Sequence, residues 1–169
     1  MENERAVVRR AGREDAETLL GLIQALADYE QLPGPEPAAR ERLVAHGWPT
    51  DGEPRRFSAW IAELTGAHGP HAVGYAITFE TYSTFLARPT LYIEDLFVLP
   101  DRRRAGVGNA LFARLVEEAR ERGCGRIEWV VLDWNTSAQQ FYQRLGARHL
   151  TEWQTYRLQM ESEGAVASD

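Results

Sequence analysis

The sequence predicts a mixed α/β fold in which a central β-sheet is flanked by α-helices. Short apolar runs typical of strands occur along the chain, and "LYIEDLFVL" at 91–99 is the strongest of them. Two longer segments, 13–29 and 106–122, carry apolar residues at helical spacing. From residue 91 onward, strand and helix patterns alternate. These three observations together favour one sheet covered by helices over an all-helical or all-strand fold.

The N-terminal elements follow from local patterns. "AVVRR" at 6–10 predicts a first strand, and Leu19, Leu22, Ile23, Leu26 and Tyr29 form the apolar stripe of the helix over 13–29. "LPGPEP" interrupts the chain at 32–37, a short helix is predicted at 38–46, and 47–54 reads as a loop.

The middle of the chain predicts a hairpin and then a buried strand. Segments 57–64 and 71–80 have strand patterns and are joined by the turn "TGAHG". We expect a loop at 81–89 and the strong strand at 91–99.

The C-terminal part repeats the alternation. The helix over 106–122 ends at "GCG" (123–125), and a strand is predicted at 126–132. A capped helix at 135–147 follows, and then a last strand at 151–160.

Composition restricts the classes of protein. A chain of 169 residues fits a single domain, which we assign to 1–160, with a polar tail at 161–169. No apolar run reaches the roughly 18 residues of a membrane span, and the charged N-terminus lacks a signal-peptide core. A single cysteine, Cys124, excludes an internal disulfide and a cysteine metal cluster. We therefore expect a cytoplasmic protein with no metal and no membrane partner.

Charge is distributed unevenly along this acidic chain. The net charge of −6 argues against a nucleic-acid partner and would attract cationic small molecules. Yet "DRRRAGVG" at 101–108 combines arginines with glycines directly before a helix. Helix starts, glycines and arginines all favour anions, so the segment predicts a pyrophosphate site. It lacks the GK[ST] ending and the G-x-G-x-x-G pattern of other phosphate loops. The alternative is a solvated arginine cluster beside a tight turn.

Two motifs carry a resemblance to a known family. Arg103–Gly108 matches R/Q-x-x-G-x-G/A, and "NTSAQQFYQRLGA" at 135–147 matches a second conserved segment of the GNAT superfamily of N-acetyltransferases. The chain resembles that superfamily from about residue 5 to 158. "LADYE" (26–30), 79–98 and 132–147 resemble its spermidine/spermine (diamine) branch.

The resemblance implies an acyl-CoA N-acyltransferase (GNAT) fold and acetyl-CoA as co-substrate. It also implies a homodimer that acetylates a primary amine of a small polyamine-like or thialysine-like substrate by direct transfer. The residues that it implies for acetyl-CoA binding are Leu96, Phe97, Val98, Arg103, Arg104, Ala105, Gly106, Val107, Gly108, Asn109, Asn135, Thr136, Ser137 and Tyr142.

Two catalytic residues are implied. Tyr142 matches the general acid that protonates the leaving thiolate, although a tyrosine beside Phe141 could also be a core residue. Glu94 matches a substrate-recognition position and could bind the amine or take its proton. Strand alternation places Glu94 on the face of Tyr92, Leu96 and Val98, and Asp95 on that of Leu91, Ile93 and Phe97. An edge ion pair at Glu94, or Asp95 facing the site instead, are the alternatives.

The substrate-lining positions implied by the diamine branch are Tyr29, Glu30, Glu94, Glu128, Trp129 and Val130. Glu128 and Trp129 fall on opposite faces of a strand, so at most one of these two side chains need contribute. An array of three glutamates suits a cation with spaced amines. Two rival interpretations keep the CoA site: a different acceptor (a protein, an antibiotic or an α-amino group), or a non-catalytic acyl-CoA-binding module.

Overall fold

The computed structural model of the chain describes residues 6–50, 52–66 and 69–160. The chain divides into two compact units, Met1–Val130 and Val131–Asp169. The single domain over 1–160 stays a prediction, and the predicted tail lies outside the described residues. None of the helices within the described ranges is long and apolar enough to cross a membrane.

The first unit is built on a five-stranded sheet in the order β1-β2-β3-β4-β5. The first four strands are antiparallel to their neighbours, whereas β5 runs parallel to β4. The predicted mixed sheet is therefore confirmed. The strands are β1 (Val7–Arg10), β2 (Ser58–Gly66), β3 (Gly69–Ser83), β4 (Arg88–Val98) and β5 (Arg126–Glu128).

The predicted helices are all present, with small shifts of their ends. Helix α1 is Ala16–Glu30 and ends at Gln31, whose left-handed φ of 56° stops the helix. The others are α2 (Pro37–Gly47), α3 (Val107–Glu121) and, in the second unit, α4 (Thr136–Arg144).

Two hydrophobic clusters form on opposite faces of the sheet. On one face, which we call the α3 face, Leu111 and Leu115 pack into a cluster with Leu91, Ile93 and Val98 of β4. On the other, the α1 face, Leu19 and Leu22 lie in a cluster with Tyr75, Ile77 and Phe97. Strand β4 therefore supplies side chains to both clusters.

A β-bulge in β4 changes which side chains share a face. Asp95 pairs with Ile77 and Ile93 with Thr78, so Glu94 is an extra residue between two register positions. Leu91 and Ile93 consequently lie on the α3 face, while Phe97 lies on the α1 face. The prediction that Leu91, Ile93, Asp95 and Phe97 share one face is wrong, because simple alternation does not hold across a bulge.

Three other expectations are wrong, two in extent and one entirely. The loop predicted at 81–89 is only a turn at 84–87, since β3 continues to Ser83 and β4 begins at Arg88. The strand predicted at 126–132 ends at Glu128. The strand predicted at 151–160 is not formed: within the described residues this segment has no strand partner, and its side chains are exposed. A backbone segment without a pairing partner gains no ladder hydrogen bonds, whatever its propensity. The β2–β3 hairpin is confirmed, although residues 67–68 of its turn lie outside the described residues.

Candidate active site

The glycine-rich turn before α3 has the backbone geometry of an anion site. Gly106 is the N-cap of α3 with φ 78°, and Arg104 is also left-handed with φ 69°. Such a turn points successive N–H groups into one concavity, and the helix start adds a partial positive charge. A Cβ at Gly106 would meet nothing within 4 Å, so the concavity is open. Arg104, Ala105 and Asn109 are exposed around it, whereas the Val107 side chain is buried in the core. The turn fits a pyrophosphate group.

Arg103 behaves differently from Arg104. Its Nε donates to the carbonyl oxygen of Val98 at 3.0 Å. Its guanidinium carbon lies 4.3 Å from the ring centroid of Tyr29 and 5.8 Å from that of Phe97. The Arg103 side chain therefore connects the turn to the aromatic rings of Tyr29 and Phe97 on the α1 face.

Among the described residues, the β5 side of strand β4 has no strand partner next to the turn. It pairs with β5 only over Thr90–Tyr92, so the ladder between the two strands ends at Tyr92. Leu96, Phe97 and Val98 lie beyond that point, between the ladder and the turn. Their backbone can hydrogen-bond to an extended ligand arm on the β5 side, while the side chains of Phe97 and Val98 stay buried.

Carboxylates gather on the α1 face around the bulge. The Tyr75 hydroxyl donates to Asp95 Oδ2 at 3.1 Å, and Tyr75 is fully buried. Burial raises the pKa of Asp95 to about 6, and the neighbouring carboxylates of Glu94 and Glu30 contribute to the rise. Burial also raises the pKa of Glu30. We call Glu30, Glu94 and Asp95 the acid cluster.

Glu94 is the exposed member of the acid cluster, on the bulge itself. Its charge and that of Glu128 both act on Tyr92, whose pKa is raised mainly by burial. Glu128 is half-buried at the end of β5 and forms an ion pair with Arg126, whose Nε lies 3.0 Å from Glu128 Oε1. Glu128 therefore extends the acidic region, with its own charge partly compensated.

The remaining predicted substrate-lining residues are divided between the faces. The ring of Tyr29 packs on that of Phe97, with centroids 6.1 Å apart, so Tyr29 is part of the α1 face. Trp129 instead packs against the α3-face cluster and forms an edge contact with Phe112 at 5.7 Å. Val130 is exposed. The structure thus places Tyr29 on the α1 face, lets the charges of Glu30 and Glu94 act on Asp95 of that face, and does not bring the Trp129 ring to it.

The second unit carries the other predicted residues on α4. The Asn135 side chain caps this helix by accepting a hydrogen bond from the Ala138 N–H at 3.2 Å, as predicted. Thr136 and Ser137 are exposed in the first turn. Tyr142 is half-buried with its ring 5.1 Å from that of Phe141. Burial raises the pKa of Tyr142 to about 12, so its phenol keeps a proton to donate at neutral pH.

Sequence reasoning missed the Tyr75–Asp95 pair. From the sequence, Asp95 is a candidate only as an alternative to Glu94, and Tyr75 lies in the predicted strand at 71–80 with no role assigned to it. The available signal was a carboxylate inside an apolar strand, which is costly without a partner. The partner itself is on another strand, and only the sheet register shows it.

Comparisons with known proteins agree with this fold and with these features of the site. The profile of the Acetyltransferase (GNAT) family matches residues 14–147. The chain belongs to this family and is an N-acetyltransferase, and membership implies acetyl-CoA as the acetyl donor. No group of three or more His, Cys, Asp or Glu side chains that could hold a metal occurs in the described part of the chain.

Individual relatives narrow the comparison. Thialysine N-epsilon-acetyltransferase of Bos taurus is 35% identical over 163 residues, covering 92% of this chain and 94% of the relative. L-ornithine N5-acetyltransferase of Arabidopsis thaliana is 41% identical over 85 residues, 50% of this chain and 37% of the relative. Among solved structures, a possible acetyltransferase from Clostridium difficile 630 has a TM-score of 0.76 at 16% identity, covering 94% of this chain and all (100%) of the other. That structure supports the fold alone.

Proposed function

We propose that this enzyme transfers the acetyl group of acetyl-CoA to a terminal primary amine of a small polyamine-like or thialysine-like substrate. The observation that carries this proposal is the acid cluster, where Asp95 accepts a hydrogen bond from Tyr75 on the α1 face and the charges of Glu30 and Glu94 act on it. Three carboxylates close together suit an acceptor with more than one positive charge. The names of relatives, which include thialysine and ornithine acetyltransferases, point to the same class of acceptor.

Acetyl-CoA would be held by the turn and by the strand that precedes it. The N–H groups at the start of α3, with Arg104 beside them, would bind the pyrophosphate. The backbone of Leu96–Val98 would bind the pantetheine arm, and an N–H there would polarise the acyl oxygen. Asn135, Thr136 and Ser137 at the start of α4 are the proposed contacts in the second unit.

Proton transfer completes the proposal. The amine binds as an ammonium and must lose a proton before its nitrogen can form a bond to the acyl carbon. Glu94 is the proposed acceptor of that proton, directly or through a water. Asp95 is a second candidate because its pKa of about 6 lies near the working pH. Tyr142 would protonate the sulfur as the C–S bond breaks.

We further propose that the enzyme is a cytoplasmic homodimer that binds neither nucleic acid nor membranes. The tip of the β3–β4 hairpin supports an interface, because Tyr82, Phe85 and Leu86 expose large apolar side chains there. Light scattering during gel filtration would measure the mass. A monomeric species at micromolar concentration would contradict the dimer.

The experiment that tests the acceptor class is an amine screen with acetyl-CoA, read by thiol release. Dicationic amines should show a higher kcat/KM than amines of equal length with a neutral tail. Glu94→Gln should reduce kcat/KM for the dication by the equivalent of ~2–5 kcal/mol, because the ammonium of the acceptor, once it has bound and covered Glu94, loses its charge partner. The loss for the neutral-tailed amine should be smaller.

The control variant is Glu117→Gln, which removes an exposed carboxylate paired with Arg114 on the surface of α3. It should leave both kcat/KM values unchanged, since exposed pairs contribute little. Equal losses with both amines in Glu94→Gln would favour a base role over recognition. A parent enzyme that turned over a protein or an antibiotic but no diamine would contradict the proposed acceptor.

A further inference from the structure

A continuous set of contacts connects the phosphate turn to the acid cluster. Arg103 lies over the ring of Tyr29, and Tyr29 packs on Phe97. Phe97 makes an edge contact with Tyr75 at 6.3 Å, and the Tyr75 hydroxyl donates to Asp95. The rings of Tyr29, Phe97 and Tyr75 form the middle of this set of contacts. Arg103 is therefore the point at which the turn meets the α1 face.

The contact between Arg103 and Tyr29 affects the acid cluster because of where Tyr29 lies in helix α1. Tyr29 lies in the last turn of α1, directly before Glu30 of the acid cluster. The segment that follows, 32–36, has neither helix nor strand. The last turn of a helix is where helices fray, so its position depends on the side-chain contacts it makes. Packing of Tyr29 between Arg103 and Phe97 holds this turn, and with it Glu30, against β4.

The chemistry of arginine suits this role. Its planar guanidinium can stack on an aromatic ring while Nε–H donates to a carbonyl in the same plane. Arg103 does both, with Tyr29 and with the carbonyl of Val98. A lysine would keep the charge but has no planar group to stack and no Nε–H.

We propose that Arg103 is a positioning residue for the acceptor amine, which acts through Tyr29 to hold Glu30 in the acid cluster. The proposal rests on the proposed function. It assigns different tasks to two adjacent arginines, because Arg104 stays with the phosphates. It also makes the turn and the acceptor site thermodynamically linked, so that acetyl-CoA bound at the turn strengthens amine binding.

The kinetic test compares Arg103→Lys with Arg104→Gln. Arg103→Lys should raise KM for a dicationic amine about tenfold, the usual size of coupling between sites, and this increase should exceed any change in the Kd for CoA. Arg104→Gln should show the opposite pattern, with CoA affinity lowered about tenfold through a lost charge-assisted hydrogen bond. Arg120→Gln, an exposed arginine in the last turn of α3, controls for net charge and should match the parent.

A double-mutant cycle tests whether Arg103 acts through Tyr29. If it does, Arg103→Lys should raise KM no further once Tyr29→Leu is present. Additive effects of the two changes would overturn the proposal. So would an Arg103→Lys enzyme that loses CoA affinity and keeps the parental KM for the amine, because Arg103 would then be a phosphate ligand. Urea unfolding of each variant identifies a change that merely destabilises the fold.

Hydrogen exchange separates this proposal from the proposed acceptor class. Adding CoA alone should slow exchange of the backbone amides at 27–32 in the parent and in Arg120→Gln, but not in Arg103→Lys. This measurement needs no amine. A parent without turnover of any diamine would contradict the acceptor class, whereas unchanged exchange at 27–32 in the parent would overturn the role of Arg103.

Discussion

Glu118 of helix α3 and Asp95 of strand β4 are two carboxylates on opposite sides of the same sheet, and their surroundings differ. On the α3 face, Glu118 accepts hydrogen bonds from Trp60 Nε1 and Thr78 Oγ1, both at 2.9 Å, and from Arg122 at 2.7 Å. On the α1 face, Asp95 accepts one from a tyrosine hydroxyl. Its charged neighbours are Glu94 and Glu30, and no ion pair within the described ranges involves it.

The difference separates a carboxylate that stabilises the fold from one that is available for chemistry. A buried charge with a cation and further donors is compensated and contributes to structure. A buried charge beside like charges raises the energy of the folded protein unless a ligand neutralises it. A cationic acceptor is such a ligand. The comparison therefore predicts that substitutions on the α1 face mainly change kinetic and binding constants, whereas substitutions on the α3 face mainly change the free energy of unfolding.

The largest effect is expected on kcat, at Tyr142, because its hydroxyl is proposed to take part in the reaction and contributes little to stability. Tyr142→Phe keeps the ring and removes the proposed proton donor, so kcat should fall about 10²–10⁴-fold. The free energy of unfolding should change by about 1 kcal/mol or less, the usual value of one hydrogen bond. Stopped-flow or steady-state thiol release measures the first and urea titration the second. An acyl donor with a more acidic thiol should narrow the kcat difference. A parental kcat would contradict the assignment.

Glu118→Gln should give the reverse pattern. The amide cannot neutralise Arg122, which keeps only its more exposed partner Glu80, so we expect the free energy of unfolding to fall by about 3 kcal/mol, the low end for a broken buried pair. kcat and the KM values of the folded enzyme should stay parental, since Glu118 lies on the α3 face. Urea unfolding with kinetics at low temperature measures both. A large change in kcat with parental stability would invalidate the distinction between the faces.

Helix α3 offers the same contrast within one element. Its first turn carries Gly108 at the proposed phosphate site, whereas Glu118 lies in its last turns. Gly108→Asp puts a carboxylate where phosphate binds, and like-charge repulsion should lower CoA affinity about 100-fold. Calorimetry measures the affinity. CoA binding at parental strength would mean that the turn has only a structural role.

The smallest effect is expected at Asp95 and has the opposite sign to that at Glu118. The pKa of Asp95 rises from 3.8 to about 6 on folding, so between these pH values the native state binds more protons than the unfolded chain. Stability therefore falls as pH rises through this window. Asp95→Asn removes the charge and should stabilise the protein by about 1–3 kcal/mol at pH 7. At pH values below the window, variant and parent should be equally stable.

Urea unfolding at a series of pH values tests this sign. The stability difference should grow across the window and stay constant above it. The same variant should bind a dicationic amine more weakly, because one carboxylate of the acid cluster is lost. A destabilising Asp95→Asn at pH 7 would place Asp95 in the same structural class as Glu118.

Most of the framework could be predicted from sequence because it depends on local periodicity. Three features depend only on residues a few positions apart in the sequence: the apolar stripe of α3, the glycines before it and the Asn135 cap. The cap and the helix start were predicted for physical reasons that the structure confirms.

The remainder depends on contacts between residues distant in sequence. The bulge at Glu94 arises from the register between β3 and β4, and strand alternation alone does not reveal it. The contact between Arg103 and Tyr29 joins residues that are 74 positions apart in the sequence, so no local motif contains both. The 151–160 segment has the aromatic and apolar residues of a strand, but pairing requires a neighbour that composition does not specify.

The bulge at Glu94 also has an evolutionary consequence. A residue in regular cross-strand pairing cannot change freely, because its replacement must still fit its neighbour across the ladder. Glu94 has no such neighbour and is exposed, so the ladder places no constraint on its size or charge. The residues on either side remain fixed by the two hydrophobic clusters. A lineage with this fold can therefore exchange the side chain that we propose to meet the acceptor while it inherits the rest of the strand unaltered. If that proposal holds, new substrate preferences arise by single substitutions at this position.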